Sequence, residues 1–333
     1  MSSTSLAQLS NVFVYSSMLV YTGSFITFAV SLASTQARED VNVDLTEKVA
    51  VAASGSGEPA KPSRRVTGVP VERKPDALPP GRRAGNIAMA LMWLATILLA
   101  AGVIARGISA GRAPWGNMYE FSTASALAIS AVFLGVSVKK DVRWLGVFIS
   151  GAVLLTLGLA VTVLYTDSEQ LVPALRSYWL AIHVTAAIIS GGAFTFGAFV
   201  TMLYLVRDRA EEKAGEGQPV KGWLASRVPS ADRLDALAYR TFAFVFPLWT
   251  FAIIAGAIWA DYAWGRYWGW DPKETWAFIT WVIFAGYLHA RATAGWRGRR
   301  AAVIALIGFA SFVVNYFVIN LVTSGLHSYA GVS

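Results

Sequence analysis

Long uncharged apolar runs alternate along the chain with short charged connections. Runs near or above the ~18 apolar residues that cross a bilayer as a helix occur at about eight places: residues 12–32, 87–105, 118–138, 144–165, 178–206, 239–260, 272–289 and 301–322. The pattern predicts an all-α, polytopic integral membrane protein of about eight transmembrane helices. The run 178–206 would be about 43 Å long as a helix, more than the ~30 Å hydrocarbon core requires. With Arg207 and Arg209 fixing one end, its first turns, which carry His183, are expected to project beyond the membrane on the other. Pro247 is expected to kink the sixth span. The first run follows a polar start with neither a basic n-region nor a small-residue cleavage site, which predicts a retained helix rather than a signal peptide.

Between the first two runs the character changes. Residues 37–85 hold six of the twelve prolines, mixed charge and no aromatic residue. Such a segment cannot bury enough apolar surface to offset its ordering entropy, and it reads as a disordered cytoplasmic loop. The expected organisation is an N-terminal helix (1–36), that loop (37–85) and a seven-helix core (86–333).

Composition agrees with the pattern: 55% of residues are hydrophobic and 14% charged, against about a quarter charged in soluble domains. The net charge of +8 raises the question of nucleic acid, but its distribution answers it. With eight spans, 23 of the 28 Lys and Arg fall on one set of connections. The positive-inside rule then places both termini, and the opposite connections, on the outer side. The basic excess is a topology signal, and no nucleic-acid patch is read from it. Cysteine is absent, which removes thiol redox chemistry and thioether attachment to this chain. A metal or heme would need His, Met or oxygen ligands.

Seven of the thirteen tryptophans lie between Trp249 and Trp281, four of them in the stretch Trp264 to Trp276. Tryptophan is an amphipathic plate that covers apolar or π surfaces, so this density in a loop (about 261–276) points to a flat apolar ligand. An interfacial aromatic belt is the alternative, and it accounts well for Trp259 or Trp281. Asp271, Pro272 and Glu274 read as N-cap, N1 and N3 of the seventh helix; a structural role for the two carboxylates stands beside a functional one. Glu120 opens the third span, where the helix macrodipole favours a carboxylate, and the same two readings apply.

The chain has three histidines. The topology puts His183 and His327 on the face of the Trp loop and His289 at the opposite, cytoplasmic end of the seventh helix. Ionisable groups in spans are functional candidates, although each could serve helix packing. Two imidazoles over an aromatic platform suit a heme, whereas zinc would want further ligands. A second ligand for His289 would come from a partner or from Met202. No nucleophile or acid–base pair is visible. Two competing readings are an electron-transfer cytochrome b membrane subunit with permanently bound heme, which calls for facing His pairs within the bundle, and a solute transporter gated by the Trp loop.

The stretch from Trp264 through Trp268, Trp270, Asp271 and Pro272 to Trp276 resembles the WWD-domain heme-handling proteins. Together with Tyr178-Trp179-Leu180-Ala181-Ile182-His183, Tyr287-Leu288-His289, Gly325-Leu326-His327-Ser328-Tyr329 and Asn117-Met118-Tyr119-Glu120, it is similar to the CcsA/ResC-type component (CcsB-type in actinobacteria) of system II cytochrome c biogenesis. The resemblance spans roughly residues 86–330. It implies a bacterial cytoplasmic membrane protein with the WWD loop on the extracytoplasmic side. It further implies that His183 and His327 ligate the iron of a non-covalent heme b cargo resting on the loop. His289 would be a transmembrane-heme ligand completed by a ResB-type partner. The cargo's destination would be the Cys-x-x-Cys-His motif of an apocytochrome c, within a synthase complex.

Overall fold

A computed structural model describes residues 3–35, 81–167, 177–215, 218–323 and 325–327. The expectation of a disordered loop over 37–85 falls almost wholly outside these residues. Among them all regular structure is helical, in eight main helices. These are α1 (Ser3–Ser34), α2 (Arg82–Ala110), α3 (Met118–Lys139), α4 (Gly146–Thr162), α5 (Tyr178–Ala214), α6 (Ala231–Trp264), α7 (Pro272–Ala292) and α8 (Arg299–Val322). Seven are long and apolar enough to cross a membrane, and the chain is a multi-pass membrane protein. The exception is α7, whose ends carry Lys273, Glu274 and Arg291. Its apolar stretch is shorter than the pattern of eight spans supposed.

α1 pairs along its length with α2 and also packs on α4. Small hydroxyl side chains join these helices where no water is at hand: Ser10 and Ser24 donate to the Gly102 and Ala88 carbonyls, and the Tyr21 hydroxyl meets both Thr96 and Ser130. α5 is the central post, packed against α6, α3 and α8. Ser190 to Ala198 are buried without a break, so every face of the helix is covered there. Small residues permit this: a Cβ on Gly192 would stand 2.8 Å from the Ala128 carbonyl oxygen of α3. Phe194, Phe242, Phe284 and Phe312 then interlock α5, α6, α7 and α8.

The C-terminal end of α5 departs from the expectation that Arg207 marks the interface. Arg207 is buried, its Nε bound to Glu211 at 2.6 Å and its Nη1 donating to the Ala225 carbonyl at 2.7 Å, and the helix continues to Ala214. Thirty-seven residues make about 55 Å. Ser230 occupies the N-cap of α6 without a side-chain capping bond; Glu211 accepts from the Ala231 N–H instead, at 3.2 Å.

Candidate functional site

Two loops meet over a cavity at one end of the bundle, and both follow one plan. Trp115-Gly116-Asn117 leads into α3, and Trp268-Gly269-Trp270-Asp271 leads into α7. Asn117 and Asp271 are the N-caps, accepting from the N–H groups of Glu120 (2.9 Å) and Lys273 (3.1 Å). Three residues on, each helix carries a buried glutamate that reaches back to the loop. Glu120 and Glu274 accept from the N–H groups of Gly116 and Gly269, each at 2.8 Å. At Asp271 the full capping box is formed. Arginines neutralise both: Arg106 (3.2 Å) and Arg112 (2.6 Å) at Glu120, and Arg266 (3.2 Å) at Glu274. The glutamates thus pin two Trp-Gly loops with charge-assisted bonds. The macrodipole alone does not account for Glu120, which is fully buried between two guanidinium groups.

The cavity between these loops has a volume of about 200 Å³ and opens to the surface. Trp115, Asn117, Tyr267, Trp268 and Lys273 line it from the loops, and His183, Trp259 and His327 from behind. Trp249, Ala277, Phe312, Asn315 and Asn320 complete the lining. Its wall is mostly aromatic and aliphatic with a few polar groups, the usual make-up of a small-molecule site.

The two histidines are held alike. Nδ1 of His183 lies 2.7 Å from the Ala252 carbonyl oxygen; a carbonyl only accepts, so Nδ1 carries the proton and Nε2 keeps its lone pair. Gly256 makes room for this ring, since a Cβ there would stand 2.7 Å from Nδ1. Nδ1 of His327 donates to Asp271 Oδ1 at 2.9 Å, while Asp271 Oδ2 accepts from the Leu326 N–H at 2.8 Å. Asp271 therefore caps α7 and ties the C-terminal segment to it. Burial works to raise its pKa, but the His327 contact and the two backbone N–H groups outweigh that and bring it down to about 2. An imidazole whose Nδ1–H is fixed by a carbonyl or carboxylate, with Nε2 free, is the arrangement proteins use for metal-binding histidines.

Trp259 backs both rings. His183 stacks on it (centroids 6.1 Å apart, planes at 11°) and His327 meets it edge-on at 5.6 Å. It is 2% exposed, which overturns its reading as an interfacial belt residue. Trp281 is likewise a packing residue, its Nε1 donating to Thr250 Oγ1 at 2.9 Å.

The other residues singled out in the sequence divide. Trp268 and Asn117 line the cavity. Trp264 supports His327 from outside the lining, 5.0 Å away. Trp270, with a left-handed φ of 59°, is 67% exposed and packs edge-on against Trp268. Pro272 opens α7 and Trp276 lies half-buried beyond the lining. Tyr119 faces away, against Tyr165 and Arg106. His289 stands exposed on the last turn of α7, at the other end of that helix from the cavity. Gly256, Asn315 and Asn320 carried no sequence signal, and Lys273, though inside the stretch Trp264 to Trp276, was not read as a site residue. The last two sit on or beside a π turn, Val314–Val318, of the kind often found at functional sites. There Asn320 donates to the Tyr316 carbonyl at 2.5 Å.

A bundle of membrane helices with an open, largely aromatic cavity at one end and two imidazoles on its lining defines a membrane protein with a candidate ligand site there. The chain belongs to the cytochrome c assembly protein family, whose model matches residues 115–327, from the first cavity tryptophan to the second cavity histidine. It is similar to cytochrome c biogenesis protein CcsA of Synechococcus elongatus, 37% identical over 285 residues (73% of this chain, 87% of the relative). The CcsA proteins of Guillardia theta (39% over 240 residues, 67% and 79%) and of a Synechocystis species (34% over 287 residues, 72% and 86%) are similar too.

Proposed function

We propose that this protein acts in cytochrome c biogenesis by presenting heme to c-type apocytochromes for covalent attachment. The observation that carries the reading is the matched preparation of His183 and His327 on one cavity, each with Nδ1–H engaged and Nε2 available. Heme is the cargo, with the two imidazoles on its iron, Trp115 and Trp268 against it from the loops and Trp259 behind the imidazoles. Holding it non-covalently allows release. The histidine of the acceptor's Cys-x-x-Cys-His motif displaces one imidazole, and the two thiols add across the heme vinyl groups. This chain's contribution is to position the reactants; Asp271, Glu120 and Glu274 act by fixing the loops.

Sidedness rests on α7 crossing with the other seven helices despite its charged ends: the positive-inside distribution then puts the loops, both termini and the cavity on the extracytoplasmic face of the bacterial cytoplasmic membrane, and His289 near the cytoplasmic one. An exposed histidine on a membrane helix suits a heme ligand completed by a second protein, of ResB type. A permanently bound electron-transfer heme draws less support, because the cavity is open.

Purified protein should carry non-covalent heme, and His183→Ala or His327→Ala should each shift its absorption bands and lower its occupancy. Wild-type spectra in both variants would refute the ligand assignment.

A further inference from the structure

One cation in the cavity lining forms no direct ion pair among the described residues. Lys273 is the second residue of α7, inside the capping box that fixes the Trp loop, and it lines the cavity together with His183 and His327. Its neighbouring carboxylates are committed elsewhere. Asp271 accepts from His327, from the Leu326 N–H and from the Lys273 backbone. Glu274 is taken by Arg266 and by the N–H groups of Gly269 and Asp271. Among the described residues no carboxylate forms an ion pair with the Lys273 ammonium. The asparagines of the lining, Asn117, Asn315 and Asn320, are neutral.

Asp271 offsets this ammonium only through space, without an ion pair, and a charge so placed in a largely apolar wall gains when a ligand supplies a direct anion. A ligand that is a flat macrocycle with two carboxylate side chains along one edge brings such an anion. We propose that Lys273 binds a carboxylate side chain of the porphyrin and so selects which edge of the macrocycle faces the Trp loop. The inference rests on the heme reading above and adds the orientation: the carboxylate edge is held at α7, and the vinyl edge is left for the incoming thiols. Lys273 is thereby a specificity-determining contact rather than a member of the iron-ligand set.

The test uses the full-length protein in detergent, stripped of heme and titrated with hemin and with hemin dimethyl ester, whose carboxylates are blocked. Wild type should bind hemin at least about tenfold more tightly than the ester, the effect of one charge-assisted hydrogen bond. Lys273→Gln should lose that preference by weakening hemin alone, with ester affinity and iron-ligand bands unchanged; Lys273→Arg should keep it. Equal binding of both porphyrins by wild type would overturn the contact while leaving the heme reading intact, as would a Lys273→Gln variant that weakens both equally. Binding of neither porphyrin by wild type would defeat the heme reading and the contact together.

Discussion

Replacing Gly256 by alanine should empty the heme site while leaving the bundle folded. The new Cβ would lie 2.7 Å from Nδ1 and 2.8 Å from Cε1 of His183, against an ordinary contact of about 3.5 Å or more. The imidazole must withdraw by up to about 1 Å, and the 2.7 Å bond from Nδ1 to the Ala252 carbonyl spans the same gap. Losing that bond costs about 1 kcal/mol, and crowding in a packed site about 1–3 kcal/mol. Together, about 2–4 kcal/mol, they lower heme affinity by roughly thirtyfold to several hundredfold at 1.4 kcal/mol per decade. Alanine in place of glycine favours the helix by about 1 kcal/mol, so α6 itself should not suffer. The assay is the heme-to-protein ratio and reduced absorption spectrum of the purified variant, with circular dichroism reporting the helices. A Gly256→Ala protein with full heme and unshifted bands would show that His183 is not a ligand held in this geometry.

Asp271→Ala removes a cap, the Leu326 contact and the orienter of His327 in one step. It should reduce heme occupancy about as much as His327→Ala, read from the same spectra. The Asp271 pKa of about 2 lies below its ordinary 3.8, so its stabilisation is complete above about pH 4 and lost as pH falls towards 2. Thermal midpoints should drop through that window in wild type and less in Asp271→Asn, which keeps a capping side chain. Glu120→Ala would strand Arg106, itself 3% exposed, and should cost about 3–5 kcal/mol, visible as a lowered unfolding midpoint in detergent. His289→Ala should leave the His183/His327 heme spectrum untouched and abolish a second heme signal that appears only when a ResB-type partner is co-purified.

Much of this architecture was legible along the chain because it depends on local rules. Spans follow from apolar length, and the start of α7 follows from Asp271, Pro272 and Glu274 three residues apart. The grouping of His183 with His327 followed from counting helices. What the sequence concealed depends on which helix faces meet. Trp259 looked like one more interfacial aromatic until its burial behind both histidines appeared. The partners of Glu120 lie eight and fourteen residues back, across a loop whose path no periodicity encodes. Lys273 and Asn315 reach the cavity only because α7 and the π turn of α8 present them there. The extension of α5 to Ala214 was hidden for a similar reason: Arg207 reads as an interfacial charge but is buried against Glu211 and the Ala225 carbonyl.

The central claim is that His183 and His327 together hold heme for delivery. Its most direct test is cytochrome c maturation in cells whose only copy of this protein carries His183→Ala and His327→Ala, with the variant's membrane level matched to wild type by immunoblot. Heme-stained c-type cytochromes should fall to background, with partial return when imidazole is added to the medium. Wild-type amounts of covalently hemylated cytochrome in that strain would contradict the account.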